Sequence, residues 1–274
     1  MTATARKAVI LARGLGTRMR REDPGARLDP EQEKAAGSGV KAMISFGGGR
    51  PFLDYVLSGL ADAGLHDACL VIGPEHQEIR RYYGETSPPR RLRVAFAVQR
   101  EPRGTADAVL AAEEFAAGEG FLVINSDNLY PVSALADLTA LPGPGVSLFE
   151  RKALLSKGNI PAERIAAFAV CVVSPDGDLE SIIEKPDSET LARLGDDSPV
   201  SMNCWRFSPA IFEACRNVPR SPRGEYELPE AVRLAIKSGA RFRVVRSAEG
   251  VLDLSQRSDI RSVGEKLRNA SADP

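Results

Sequence analysis

Three uninterrupted apolar runs constrain this chain more than any other feature. They are AVILA at 8–12, ACLVI at 68–72 and FLVIN at 121–125. Each is short for a helix and rich in aliphatic, often β-branched residues, so each reads as a strand buried on both faces. Between them lie helical patterns. Phe52, Leu53, Val56, Leu57 and Leu60 fall on one helical face, with Pro51 at the start. A polar helix is expected over 75–83, a strand over 92–98 and a helix over 105–117. Strands of this kind alternating with helices imply a parallel sheet covered on both sides, with right-handed crossovers. After about residue 141 the pattern changes. Strands at 165–173, 179–184 and 201–207 follow one another with fewer helices between, then come helices at 227–237 and 260–267 and a strand at 242–245. The expected architecture is α/β: a mixed, mostly parallel sheet with helices on both faces, in one domain over 1–274. Its halves fall at about 6–141 and 142–268. The polar, Gly- and Pro-containing segment 23–39 reads as a mobile loop, and 269–274 as a frayed tail.

Composition narrows the function. A formal charge of −1 gives no reason to expect nucleic acid or an anionic membrane as partner. No run approaches the roughly 18 apolar residues of a spanning helix, and the N-terminus lacks the pattern of a signal peptide, so a cytoplasmic protein is expected. Cys69, Cys171, Cys204 and Cys215 stand at wide spacings among apolar neighbours, as buried reduced thiols do. With His66 and His76 as the only histidines, neither a zinc site nor a histidine-based triad is expected.

In an open parallel sheet, ligands bind beyond the carboxyl ends of the strands. The first run leads there directly into Arg13-Gly14-Leu15-Gly16-Thr17-Arg18. Glycines let the backbone approach an anion, and an arginine grips phosphate oxygens in a fork. The loop lacks the third glycine of G-x-G-x-x-G and the Gly-Lys-Ser/Thr of a Walker loop. A bare G-x-G is an ordinary strand-to-helix turn. L-A-x-G-x-G-T-R-M is more specific, and it resembles the opening signature of the sugar-1-phosphate nucleotidylyltransferases. Further elements recur in order: Val40-Lys41-Ala42, Gln99-x4-Gly104-Thr105-Ala106-Asp107-Ala108, Asn125-Ser126-Asp127-Asn128, Glu184-Lys185-Pro186, Arg223-Gly224-Glu225-Tyr226-Glu227 and Asp253. The resemblance runs from residue 7 to about 268 and is strongest to glucose-1-phosphate thymidylyltransferases and UTP–glucose-1-phosphate uridylyltransferases.

That resemblance implies a Rossmann-like nucleotide-diphospho-sugar transferase fold with a sugar-binding extension. It implies that Leu11, Ala12, Gly14, Gly16, Thr17, Gln99, Gly104 and Thr105 bind the nucleotide. Arg18, Lys41 and Lys185 would be catalytic, with Arg18 on the leaving pyrophosphate and Lys41 on the α-phosphate. Asn128, Ala169, Glu184, Lys185, Asn203 and Arg223 would bind the sugar phosphate, and Asp127 and Asp253 would hold Mg²⁺. The implied partners are an NTP, with dTTP or UTP favoured by Gln99, and a sugar 1-phosphate. Homo-oligomers are usual in the family, and a left-handed β-helix that some relatives append is not expected here.

The chain departs from the family pattern at several points. Arg13 and Ala169 replace small residues, Ser255 replaces a glycine after Asp253, and Lys41 follows Arg18 by 23 positions, about twice the spacing of many relatives. Three other readings compete. A nucleotidylyltransferase for a phosphorylated non-sugar such as phosphocholine leaves the Glu-Lys-Pro and Arg-Gly-Glu elements without a purpose. A glycosyltransferase normally carries Asp-x-Asp where this chain has Asn125-Ser126-Asp127. A catalytically degenerate nucleotide-sugar sensor explains the departures, but every charged residue the chemistry requires is present.

Overall fold

A computed structural model describes residues 5–184, 186–195 and 197–274. Its strands are β1 (Lys7–Leu11), β2 (Ser45–Phe46), β3 (Arg50–Pro51), β4 (Asp67–Ile72), β5 (Arg93–Val98), β6 (Phe121–Asn125) and β7 (Asn128–Leu129), followed by β8 (Gly145–Phe149), β9 (Val170–Val173), β10 (Leu179–Ile183), β11 (Val200–Phe207), β12 (Arg243–Ser247) and β13 (Leu252–Asp253). Nine of them form one sheet, ordered β10-β9-β11-β6-β1-β4-β5, with β8 beside β11 and β12 beside β8. The pairs β1·β4, β1·β6, β4·β5 and β8·β12 are parallel, and β11 runs antiparallel to β6, β8 and β9.

The alternation of a pleated strand explains the two cores. Ala8 and Ile10 of β1 and Leu122 and Ile124 of β6 pack on one face; Val9, Leu11, Phe121 and Val123 pack on the other. Both faces are apolar, so helices must cover both. On the first, the helix Phe52–Asp62 buries nearly its whole length, with Pro51 before it as expected. On the second, Val109 of the helix Thr105–Leu110 and Val232 of the helix Leu228–Lys237 belong to the same buried cluster as Val9 and Val123. The carboxyl ends of β1, β4, β5 and β6 therefore open onto one edge, and the site lies there.

Four expectations need correcting. Segment 23–39 is not all loop, because Pro30–Ser38 is a helix. Asp29 accepts from the N–H groups of Glu31 and Gln32 at 3.0 and 2.8 Å, and the Gln32 side chain accepts from the Asp29 N–H, a capping box hidden inside a polar composition. The run 165–173 is not a continuous strand. A short helix, Ala162–Ala166, comes first and the strand starts at Val170. The helix expected over 105–117 breaks after Leu110 and resumes at Glu113. The tail is docked: the Asp273 N–H donates to Ser58 Oγ at 2.7 Å, and the Pro274 carbonyl accepts from the N–H groups of Arg90 and Arg91 at 2.7 and 3.2 Å.

Candidate active site

The strand β1 ends at Leu11, and the loop after it must turn sharply to enter the four-residue helix Thr17–Arg20. Gly16 makes that turn with φ of 62°, and its carbonyl accepts from the Arg20 N–H at 2.9 Å. A side chain at Gly16 would meet the Gly39 backbone at 2.2 Å. The glycine is thus explained by contact between two loops, and Gly16 is buried behind the site. Gly14 differs: nothing lies within 4 Å of the position its Cβ would take, and it borders a cavity of about 390 Å³.

Leu11, Ala12, Gly14, Thr17, Lys41, Gln99, Gly104, Thr105, Asp127 and Asn203 share the wall of that cavity. The topology brings them together. Ala12 and Gly14 follow β1, Gln99 follows β5, Asp127 follows β6, and Asn203 projects from β11, whose pairing with β8 shifts register between Ser201 and Cys204. Asn203 takes φ of 57° at this bulge, a left-handed conformation that asparagine tolerates and that re-aims a side chain next to a site.

Two carboxylates lie close together here, Asp127 in the cavity wall and Asp253 buried off it. Asp127 is ion-paired with Lys41. Asp253 is brought beside it by the short β7–β13 ladder, in which Asp253 faces Asn128 and the Leu254 N–H donates to the Asp127 carbonyl at 2.8 Å. The Asp253 oxygens accept from Arg164 and, at 3.0 Å, from Asn128 Nδ2. Burial, and then the charge of Asp127, raise the Asp253 carboxyl above its ordinary range. Among the described residues no group of three or more His, Cys, Asp and Glu side chains forms a metal cluster. A hard divalent ion that takes its other ligands from phosphates and water would need one or two such carboxylates, and here it would have to compete with Lys41 for Asp127 and with Arg164 for Asp253.

Several expected contacts are absent. Asn128 is buried off the cavity wall, and its amide bonds Asp253, Asn125 and Tyr130, so it positions Asp253. The Ala169 methyl packs in the core, and its carbonyl accepts from the Ser201 N–H at 2.9 Å. Gly16 and Arg18 do not reach the cavity wall. Arg18 is exposed on the helix Thr17–Arg20, with no ion pair among the described residues. Glu184 and Arg223 also stand off the cavity, but they approach each other, and Arg223 is held by Glu227 at 2.9 Å. Lys185 lies outside the described residues.

The Arg-Gly-Glu segment reaches the cavity through Glu225, which sequence reasoning did not single out. Its neighbour Tyr226 docks on the Gln99–Thr105 element. The Tyr226 N–H donates to the Arg103 carbonyl at 2.7 Å, and the Tyr226 carbonyl accepts from the Ala106 N–H at 2.9 Å. A Cβ at Gly104, whose φ is 115°, would lie 2.4 Å from the Tyr226 carbonyl oxygen. Arg13 and His76 also line the wall. The Arg13 side chain is only 7% exposed; it reaches Glu75 at 3.4 Å, and its Nη1 is buried without a partner.

A family model described as nucleotidyl transferase matches residues 33–269. Among curated proteins the chain is 29% identical over 262 residues to the UTP–glucose-1-phosphate uridylyltransferase AglF of Haloferax volcanii, covering 96% of both chains. It is 30% identical over 244 residues to a glucose-1-phosphate thymidylyltransferase of Streptomyces antibioticus, covering 85% of this chain and 58% of that one. It therefore spans nearly all of the first relative and little more than half of the second. Among solved structures, UDP-glucose pyrophosphorylase complexed with UDP-glucose superposes with a TM-score of 0.74 at 17% identity, over 97% of this chain and 100% of the other. At that identity the likeness shows the fold.

Proposed function

The chain belongs to the nucleotidyl transferase family, and from that premise we propose that it transfers a nucleotidyl group from UTP or dTTP to a sugar 1-phosphate, giving a nucleoside diphosphate sugar and pyrophosphate. One observation carries the reading. A single cavity gathers a glycine loop at the end of β1, a lysine–aspartate pair and a buried glutamine at the end of β5. These are a phosphate cradle, a charge-neutralising group and a base reader.

The sugar phosphate is a dianion near neutral pH and needs no general base, since its second pKa is about 6. Its oxygen attacks the α-phosphorus in line; a P–O bond forms as the bond to the bridging oxygen of pyrophosphate breaks. The chain's part is positioning and charge neutralisation. Gly14 leaves the loop backbone open to the triphosphate. Lys41, held on Asp127 in the free protein, turns to the α-phosphate oxygens. Arg18, exposed beside the loop, closes on the departing pyrophosphate. Glu184 accepts from sugar hydroxyls, and Arg223 with Lys185 holds the sugar phosphate. Asp127 and Asp253 are the residues that would hold Mg²⁺, which when bound supplies charge neutralisation and orientation of the phosphate oxygens. Among the described residues no helix is long and apolar enough to cross a membrane.

The test is pyrophosphate release from the purified protein with Mg²⁺, each common nucleoside triphosphate and a panel of hexose 1-phosphates. Release with UTP or dTTP and a hexose 1-phosphate is the expected result. Tight nucleotide-sugar binding with no release from any pair would replace the transferase by a sensor.

A further inference from the structure

A glutamine side chain offers a pyrimidine both a donor and an acceptor, so by itself it does not choose between uracil and cytosine. In this structure Gln99 has lost that ambiguity. Its Nε2 donates to Asp107 Oδ2 at 2.8 Å and to the Gly104 carbonyl at 3.0 Å. Both amide hydrogens are therefore used, and both partners are pure acceptors. Turning the amide over would set Oε1 against a carboxylate and a carbonyl. Gln99 is 4% exposed, follows a strand, and its N–H is tied to the Ile72 carbonyl at 2.9 Å, so its backbone offers no other way to reorient the side chain. Oε1 is the polar atom left for the cavity, and it can only accept.

Asp107 is itself fixed. Arg103 donates to its other oxygen, Oδ1, from Nε at 3.1 Å and Nη2 at 2.6 Å. Arg103 also lies over the Tyr226 ring, 5.9 Å from its centroid. The chain of contacts Tyr226–Arg103–Asp107–Gln99 sets which atom faces the base.

We infer that Asp107 is a specificity-determining positioning residue: by holding the Gln99 amide donor, it makes the site an acceptor-only reader that takes a base with an N–H at the centre of its pairing edge. Among pyrimidines that is the imide of uracil or thymine. Cytosine has a bare ring nitrogen there, so two acceptors face each other and CTP is rejected. The inference rests on the nucleotidyltransferase reading and assigns how its base is chosen.

Asp107→Asn tests it, because Arg103 dictates the new orientation. Arg103 needs an oxygen at the Oδ1 position, so the asparagine Nδ2 falls opposite Gln99. A donor there opposes the wild-type orientation of the Gln99 amide while the Gly104 carbonyl still supports it, so the two orientations come into balance and a share of the molecules presents the NH₂ to the base. Equilibrium binding of UTP and CTP is measured calorimetrically on wild type and variant. The expected result is that wild type prefers UTP strongly, and that the variant narrows the UTP:CTP ratio by about ten-fold or more, the scale of one mismatched buried hydrogen bond. CTP affinity should rise in absolute value, which general loss of structure cannot produce. Asp107→Ala, which removes one of the two acceptors that hold the amide and leaves the Gly104 carbonyl, should narrow the ratio less and gives the same comparison if the asparagine variant folds poorly. A folded variant whose ratio is unchanged, or whose two affinities fall in parallel, overturns the inference. Equal binding of UTP and CTP by wild type overturns it while leaving the enzyme reading intact. Failure of wild type to bind either nucleotide overturns both.

Discussion

Lys41 and Asp127 form an ion pair in the cavity wall although 86 residues separate them in sequence, and neither side chain is more than about a fifth exposed. The pair joins the end of β6 to the short 3₁₀ turn Lys41–Met43, which follows the capped helix Pro30–Ser38. The long spacing between Arg18 and Lys41 is thus taken up by an ordered helix, and Lys41 still reaches the site.

Because the two charges balance each other, removing either leaves the other uncompensated. Lys41→Met and Asp127→Asn should each lower kcat/KM by about 10²–10³. They are paired in the free protein, so the double variant should fall less far than the product of the two single losses. Initial rates for the four proteins decide this. Full additivity of the two losses would show that the pair is incidental.

Gly14 and Gly16 belong to one motif but carry different loads. Gly16→Ala combines a left-handed φ with a backbone collision at Gly39 and should cost about 2–4 kcal/mol of stability. Gly14→Ala has open space around it and should leave the urea midpoint unchanged, while its methyl enters the cavity and weakens nucleotide binding. Urea denaturation paired with UTP titration separates the two. Equal loss of stability in both would refute this division.

How much of this site could be read from the sequence follows from how local each part is. Gly14, Gln99, Gly104 and Asp127 lie within a few residues of apolar runs whose strand character is plain, and strand ends in an open sheet are where ligands bind. Motif order in the sequence marks them as candidates, and all four line the cavity. Asn128 was not legible, since only the β7–β13 pairing, 125 positions apart in sequence, turns its amide onto Asp253. Arg164 was invisible because 89 positions separate it from Asp253, and its own helix sits in a run whose apolar residues suggested a strand. The helix Pro30–Ser38 was hidden by composition, and its Asp-Pro-Glu-Gln start was the signal that could have revealed it.

Asp54 gives a pH test away from the site. Burial holds its carboxyl above the ordinary range, although bonds from the Tyr83 hydroxyl at 2.9 Å and from Arg50 pull it down. The folded chain therefore binds this proton more tightly than the unfolded chain. Its contribution to stability is greatest below the ordinary carboxylate value and is lost as pH rises through the raised folded value. Asp54→Asn keeps an acceptor for Tyr83 and removes the titration. Its stability should decline less than that of wild type as pH rises through this window, and the two should differ by about 1 kcal/mol or less at pH 7. Parallel profiles of stability against pH would rule out Asp54 as the source.

Arg164 holds Asp253 and Asp259 together, bonding Asp259 through both oxygens at 2.9 Å. Both carboxylates are buried. Arg164→Met leaves them without their cation and should cost about 3–5 kcal/mol in EDTA, as breaking a buried pair does. If Asp127 and Asp253 hold a divalent ion, millimolar Mg²⁺ supplies part of the missing charge. The thermal midpoint of the variant should then rise on adding Mg²⁺, and by more than that of wild type, where Arg164 competes with the metal for Asp253. Thermal melts of both proteins, with and without Mg²⁺ and with Ca²⁺ as a second divalent ion, need no substrate and no turnover. A variant that is destabilised but indifferent to both ions would remove Asp253 from the metal site and leave it a structural partner of Arg164.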